Sequence, residues 1–185
     1  MMKLLTLTAA LSLPLAASAD EIEDALTAAM EAYQDGDVAF ALQELDFARA
    51  KLNALKTDEL VGFLPEAPDG WTREIDTEMG ASLGLLGGGS GASAIYMDSA
   101  ASQEVTVTIM ADSPMVTGMG AMVANAGAMG LPVERIGRQT FALQDDQLMG
   151  LVANRVLVTA EGADVETLKS LLEEMDFRAL AGWGL

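Results

Sequence analysis

The run from Glu104 to Ala124, EVTVTIMADSPMVTGMGAMVA, constrains the fold more than any other stretch of the chain. Val105, Val107 and Ile109 alternate with Thr106, Thr108 and Met110, which predicts a strand with one branched apolar face and one semi-polar face. Asp112 or Ser113 is placed to cap the helix that follows, and Pro114 suits its first turn, where a missing N–H costs nothing. Such a strand is not stable alone. It needs neighbours to pair with and helices to cover it, and the residues after Gly70 are read as supplying both.

Ala92 to Met97 reads as a second strand, with Ala94 and Tyr96 on one face and Ser93, Ile95 and Met97 on the other. A short connector makes it an antiparallel neighbour of the first. Thr72 to Glu78 is a shorter polar strand. Between them, Gly84, Gly87, Gly88, Gly89 and Gly91 are too dense for a regular element, so residues 87–91 are predicted to be a mobile loop or hairpin connection. No lysine follows these glycines and no helix opens after them, which argues against a phosphate cradle. Residues 114–126 read as a helix with Met115, Met119 and Met122 on one side. Val133 to Arg135, Thr140 to Leu143 and Leu151 to Thr159 are predicted strands. After Glu161-Gly162, Asp164 caps a helix striped by Val165, Leu168, Leu171, Leu172 and Met175.

The N-terminal half is of another kind. Lys3, the apolar run Leu4 to Ala16 and the small residues Ala17-Ser18-Ala19 are ordered as in an export signal, which predicts cleavage before Asp20 and a periplasmic or secreted protein. The apolar run is too short for an ordinary membrane span. Cleavage would remove one base and no acid, taking the formal net charge from −18 to −19. A surface this acidic repels phosphate backbones and anionic lipid, so nucleic acid is not an expected partner. Asp20 to Tyr33 and Val38 to Leu60 are helical patterns separated by Gln34-Asp35-Gly36-Asp37, an antiparallel hairpin expected to pack its apolar faces together.

Ala29-Met30-Glu31-Ala32-Tyr33-Gln34-Asp35-Gly36-Asp37, followed by Ala39, Ala41, Leu42 and Ala48, resembles one tetratricopeptide-type unit. The resemblance spans residues 22–55, and no second copy follows. It implies partner binding, and Tyr33 and Phe40 are candidate contacts. Trp71, just past the Pro65 to Gly70 turn and outside the resemblance, is read as an aromatic anchor at the entrance to the sheet domain, with partner contact by ring stacking as the alternative. The later arrangement, residues 66–177, is similar to the small PsbP/Mog1-like class, a resemblance that implies a noncatalytic attachment or assembly role.

The expected architecture is therefore α+β: an export signal over residues 1–19, a helical hairpin over 20–64, an antiparallel sheet covered by helices over 65–180, and a tail over 181–185. The chain has no histidine and no cysteine, which removes the commonest general base, the commonest nitrogen ligand, thiol nucleophiles and thiolate metal sites. Ser90, Ser93 and Ser113 have no histidine to activate them, and adjacent acids such as Asp145-Asp146 and Glu173-Glu174 do not define a cleft. The favoured reading is a noncatalytic protein that binds another periplasmic protein or a second copy of itself and needs no cofactor. Two alternatives stand beside it: a Cu(I) site of thioethers at Met115, Met119 and Met122, and an enzyme using carboxylate or Ser/Lys chemistry. Arg135 and Arg155 are candidate anion ligands if their strands are neighbours.

Overall fold

The computed structural model describes residues 15–76, 88–100 and 103–184. Most of the predicted signal, residues 1–14, lies outside that set, as does the glycine-rich stretch through residue 87. The chain divides into two units between Leu52 and Asn53, inside a helix.

The first unit is the hairpin. Helix α1 (Leu15–Gln34) and helix α2 (Val38–Val61) are joined by a tight turn at Gly36 and pack together. Asp37 begins α2 by accepting the Phe40 N–H at 3.0 Å through its side chain. The helices run antiparallel, with Glu21 near the start of α1 paired to Lys51 of α2 at 2.6 Å. Apart from Ile22, their seam is made of alanine: Ala25, Ala29 and Ala32 on α1, Ala41 and Ala48 on α2, all buried. The expectation that bulky faces would pack on one another is corrected here. Alanine lets the two backbones approach closely, and Leu26, Met30, Tyr33, Val38, Leu42, Leu45 and Leu52 are left exposed.

The second unit holds a seven-stranded sheet, entirely antiparallel. Its strands are β1 (Trp71–Asp76), β2 (Ser90–Asp98), β3 (Gln103–Ala111), β4 (Val133–Ile136), β5 (Gln139–Gln144), β6 (Gln147–Val152) and β7 (Val156–Glu161). Their spatial order is β1-β2-β3-β7-β6-β5-β4. Helix α3 (Pro114–Ala124) follows β3, while α4 (Val165–Glu173) and α5 (Phe177–Ala181) follow β7. The antiparallel α+β class read from the sequence is the fold observed. Among the described residues, no helix is long and apolar enough to cross a membrane.

The alternation in β3 builds two cores. Val105, Val107, Ile109 and Ala111 join Ala92, Ala94 and Tyr96 of β2 and Val156, Val158 and Ala160 of β7 in the larger one. Leu60 and Leu64, at and just beyond the end of α2, cover this core together with Leu168, Leu171 and Leu172 of α4, Phe177 and Leu180 of α5, and Trp183. Trp183 lies in the stretch read as a tail, yet it is buried. On the opposite face Met110, Met149 and Leu157 pack with Val116 and Val123 of α3. Ser113 caps α3, accepting the Val116 N–H at 3.3 Å, and Pro114 occupies its first turn.

Two strand boundaries differ from expectation. Leu151 to Thr159 is two strands, because Ala153 and Asn154 both take positive φ and close a hairpin. Ser90 and Gly91 belong to β2, opposite Ala111 and Met110, although the glycine density predicted a loop. Gly89 accounts for the early pairing. A Cβ there would sit 2.6 Å from Ser113 Cβ and 2.9 Å from the Ala111 carbonyl, so only glycine admits this approach of backbones.

Candidate functional site

The hairpin presents the first candidate surface. On α1, Leu26, Met30 and Tyr33 follow an i, i+4, i+7 spacing, and on α2, Val38, Leu42, Leu45 and Leu52 follow i, i+4, i+7, i+14. At 3.6 residues per turn each stripe lies on the same rotational side of its seam: Leu26, Met30, Tyr33 and Leu42 each come one position after a seam residue, and Val38, Leu45 and Leu52 fall between that line and the seam. In an antiparallel pair those two flanks face the same way, so the stripes form one apolar surface. Tyr33 is 70% exposed within it. Phe40 and Phe47 lie on the opposite flank, both exposed. The unit is otherwise acidic, with nine carboxylates against two cations over residues 20–52.

In the sheet unit, a polar group that joins distant parts of the chain was not legible in the sequence. Asp112, left-handed at φ 55°, directly follows β3 and turns its carboxylate to Lys56 Nζ at 2.7 Å and to Arg155 Nη2 at 3.1 and 3.2 Å. Arg155 Nη1 donates to the Trp183 carbonyl at 2.7 Å. The Lys56 ammonium and the Arg155 guanidinium lie 5.0 and 5.3 Å from the Trp183 ring centre, and the indole N–H donates to Glu59 Oε2 at 3.0 Å. Burial pushes the Asp112 carboxyl up, but hydrogen bonds from Lys56 and Arg155 outweigh it and hold the group below the ordinary carboxylate range. Engaged by two cations, Asp112 is a poor base. A cleft of about 920 Å³ opens beside it, floored by Leu151 and walled by Gly118 and Gly120 of α3.

The predicted anion pair is not brought together. Arg155 sits in the β6–β7 turn against Asp112, whereas Arg135 is exposed on edge strand β4, with β5 and β6 between β4 and β7. Met119 and Met122 pack on the apolar group under α3, while Met115 is 44% exposed and outside that group. Among the described residues, no three His, Cys, Asp or Glu side chains converge as a metal site.

Trp71 opens β1, packs partly on the main core and borders a second cleft, of about 540 Å³. One wall is the Pro65 to Pro68 turn. Its Pro65 carbonyl accepts Tyr96 Oη at 2.6 Å and Arg73 Nη1 at 2.9 Å, and the Pro68 carbonyl accepts the Trp71 N–H at 3.0 Å. Burial pushes the Tyr96 hydroxyl well above its ordinary range, so it stays a donor and holds the wall in place. The other wall is α4, through Thr167, Ser170, Leu171 and Glu174. No family model, curated protein or solved structure matches this chain.

Proposed function

We propose that this chain is an exported, noncatalytic binding or assembly protein that docks a different protein on the apolar flank of its helical hairpin. The observation that carries this reading is the division of labour in the hairpin: alanines make its internal seam, and the large apolar side chains lie outside it. A helix pair built only for its own stability would place leucine in the seam. Each flank residue is about half exposed, so covering it offers on the order of 1 kcal/mol, and seven together are enough to offset part of the entropic cost of association. The resemblance of residues 22–55 to a tetratricopeptide unit fits the same role, and the order of charge, apolar run and small residues at the N-terminus supports export. The formal net charge, −18 for the whole chain and −19 without residues 1–19, opposes pairing of two copies and favours a partner of lower or opposite charge.

The test is affinity capture by the full chain against a Leu42→Gln/Leu45→Gln variant. Both substitutions are on exposed positions, so the fold is expected to survive. Loss of a discrete partner from the variant supports the reading, and equal retention by both proteins contradicts it.

A further inference from the structure

The cleft beside Trp71 has a chemical bias that does not depend on the hairpin. Its two charged lining residues are Glu66 and Glu174, both carboxylates. The two hydroxyls of its α4 wall have already committed their protons: Thr167 Oγ1 donates to Asp164 Oδ2 and Ser170 Oγ to the Glu166 carbonyl, each at 2.9 Å. What they have left to offer is lone pairs. Glu174 is the C-cap of α4, and the last turn of that helix carries no basic residue, so the negative end of the helix dipole adds to the carboxylates. Trp71 supplies an aromatic face and Leu171 an apolar one. Among the described lining residues, the indole N–H is the one uncommitted side-chain donor.

We propose that this cleft binds an arginine side chain presented by an exposed segment of a partner protein. A guanidinium is planar enough to stack on Trp71, it brings five donors to a lining rich in acceptors, and it is charged at every physiological pH. Glu66 is paired with Arg73 at 3.0 Å, but its own side chain is 93% exposed. Arg73 is held separately by the Pro65 carbonyl, so Glu66 is able to swing to a guest while Arg73 stays seated. The Pro65 to Pro68 wall is preformed by the Tyr96 and Arg73 hydrogen bonds, which lowers the ordering cost of binding.

The test uses the full chain labelled with ¹⁵N, whose indole N–H signals belong to Trp71 and Trp183 and are told apart with Trp71→Phe. The probes are a capped Gly-Arg-Gly peptide and its citrulline counterpart, which keeps the shape and loses the charge. The arginine peptide is expected to move the Trp71 signal saturably, and the citrulline peptide to bind about tenfold more weakly or worse. Glu174→Gln, a change at an exposed position that leaves the fold intact, is expected to weaken the arginine peptide several-fold. Equal binding of the two peptides, an unmoved Trp71 signal at millimolar peptide, or unchanged affinity in Glu174→Gln would each overturn the proposal.

Discussion

The Trp183 indole donates to Glu59 Oε2 at 3.0 Å, tying the C-terminal end of the chain to the last turns of α2 across 124 residues of sequence. The same ring carries Lys56 and Arg155 on its surface, and those two cations share Asp112. The C-terminal residues are therefore a structural closure of the sheet unit. Trp183→Ala should cost about 3 kcal/mol or more, as removal of a buried indole does. Thermal unfolding of the variant measures it, and a loss under about 1 kcal/mol would show that the ring is dispensable.

Asp112 ties that closure to pH. Its carboxyl is held below the ordinary range in the folded chain, so the stabilisation is fully present above the unfolded value of about 3.9 and is lost as pH falls through the lower folded value. Asparagine tolerates the left-handed conformation at this position, so Asp112→Asn removes charge without adding backbone strain. The variant is expected to be less stable than the parent at pH 7, by up to about 1 kcal/mol given the partial exposure of the pair, and the gap should close in acid. Urea midpoints at pH 7 and pH 3 report both. A gap that widened in acid would contradict the assignment.

Gly162 begins the turn out of β7 at φ 105°, and a Cβ there would collide with the Glu104 carbonyl oxygen. That oxygen is backbone and cannot swing aside. Gly162→Ala should lose about 2 kcal/mol or more, combining left-handed strain with displacement of the start of β3. Calorimetry of the purified variant would show the drop, and an unchanged Tm would mean the turn relaxes freely.

Much of the sheet was legible in the sequence because period-2 alternation is a local signal. Val105, Val107 and Ile109 declare their face by themselves, and Ser113-Pro114 declares the start of α3. The signals that failed are those that depend on contact across the chain. Ala153-Asn154 carries no glycine, so its hairpin was hidden inside an apolar run. Gly91 looked like loop until Gly89 could be seen against Ser113. Helical periodicity found the hairpin but gave the wrong seam, since it weighs bulk and cannot see that alanines approach more closely than leucines. Lys56, Glu59, Asp112, Arg155 and Trp183 are scattered singly over 128 positions, from 56 to 183, with no spacing that joins them. The change of pattern at Pro65 is plain, whereas the change of packing partner occurs earlier, within α2, where Leu60 turns into the sheet core.

That offset yields a pair of truncations. Residues 53–185 keep Leu60, Leu64, Lys56 and Glu59 and should unfold cooperatively. Residues 65–185 lack all four and should lose several kcal/mol, on the scale of two buried leucines removed. Denaturant melts of the two fragments decide it, and equal stability would place the end of α2 outside the core.

The central claim is that the exposed flank of the hairpin is occupied by another protein. A photo-crosslinking residue at Tyr33, the most exposed side chain of that flank and at its turn end, tests it in the cell that produces the chain, with Gln43 on a different side of α2 as the control position. The expected result is one discrete adduct from position 33, heavier than the chain by a mass other than its own, absent from position 43 and lost when Leu42 and Leu45 are changed to Gln. An adduct of twice the chain mass, equal adducts from both positions, or no adduct from position 33 would contradict it.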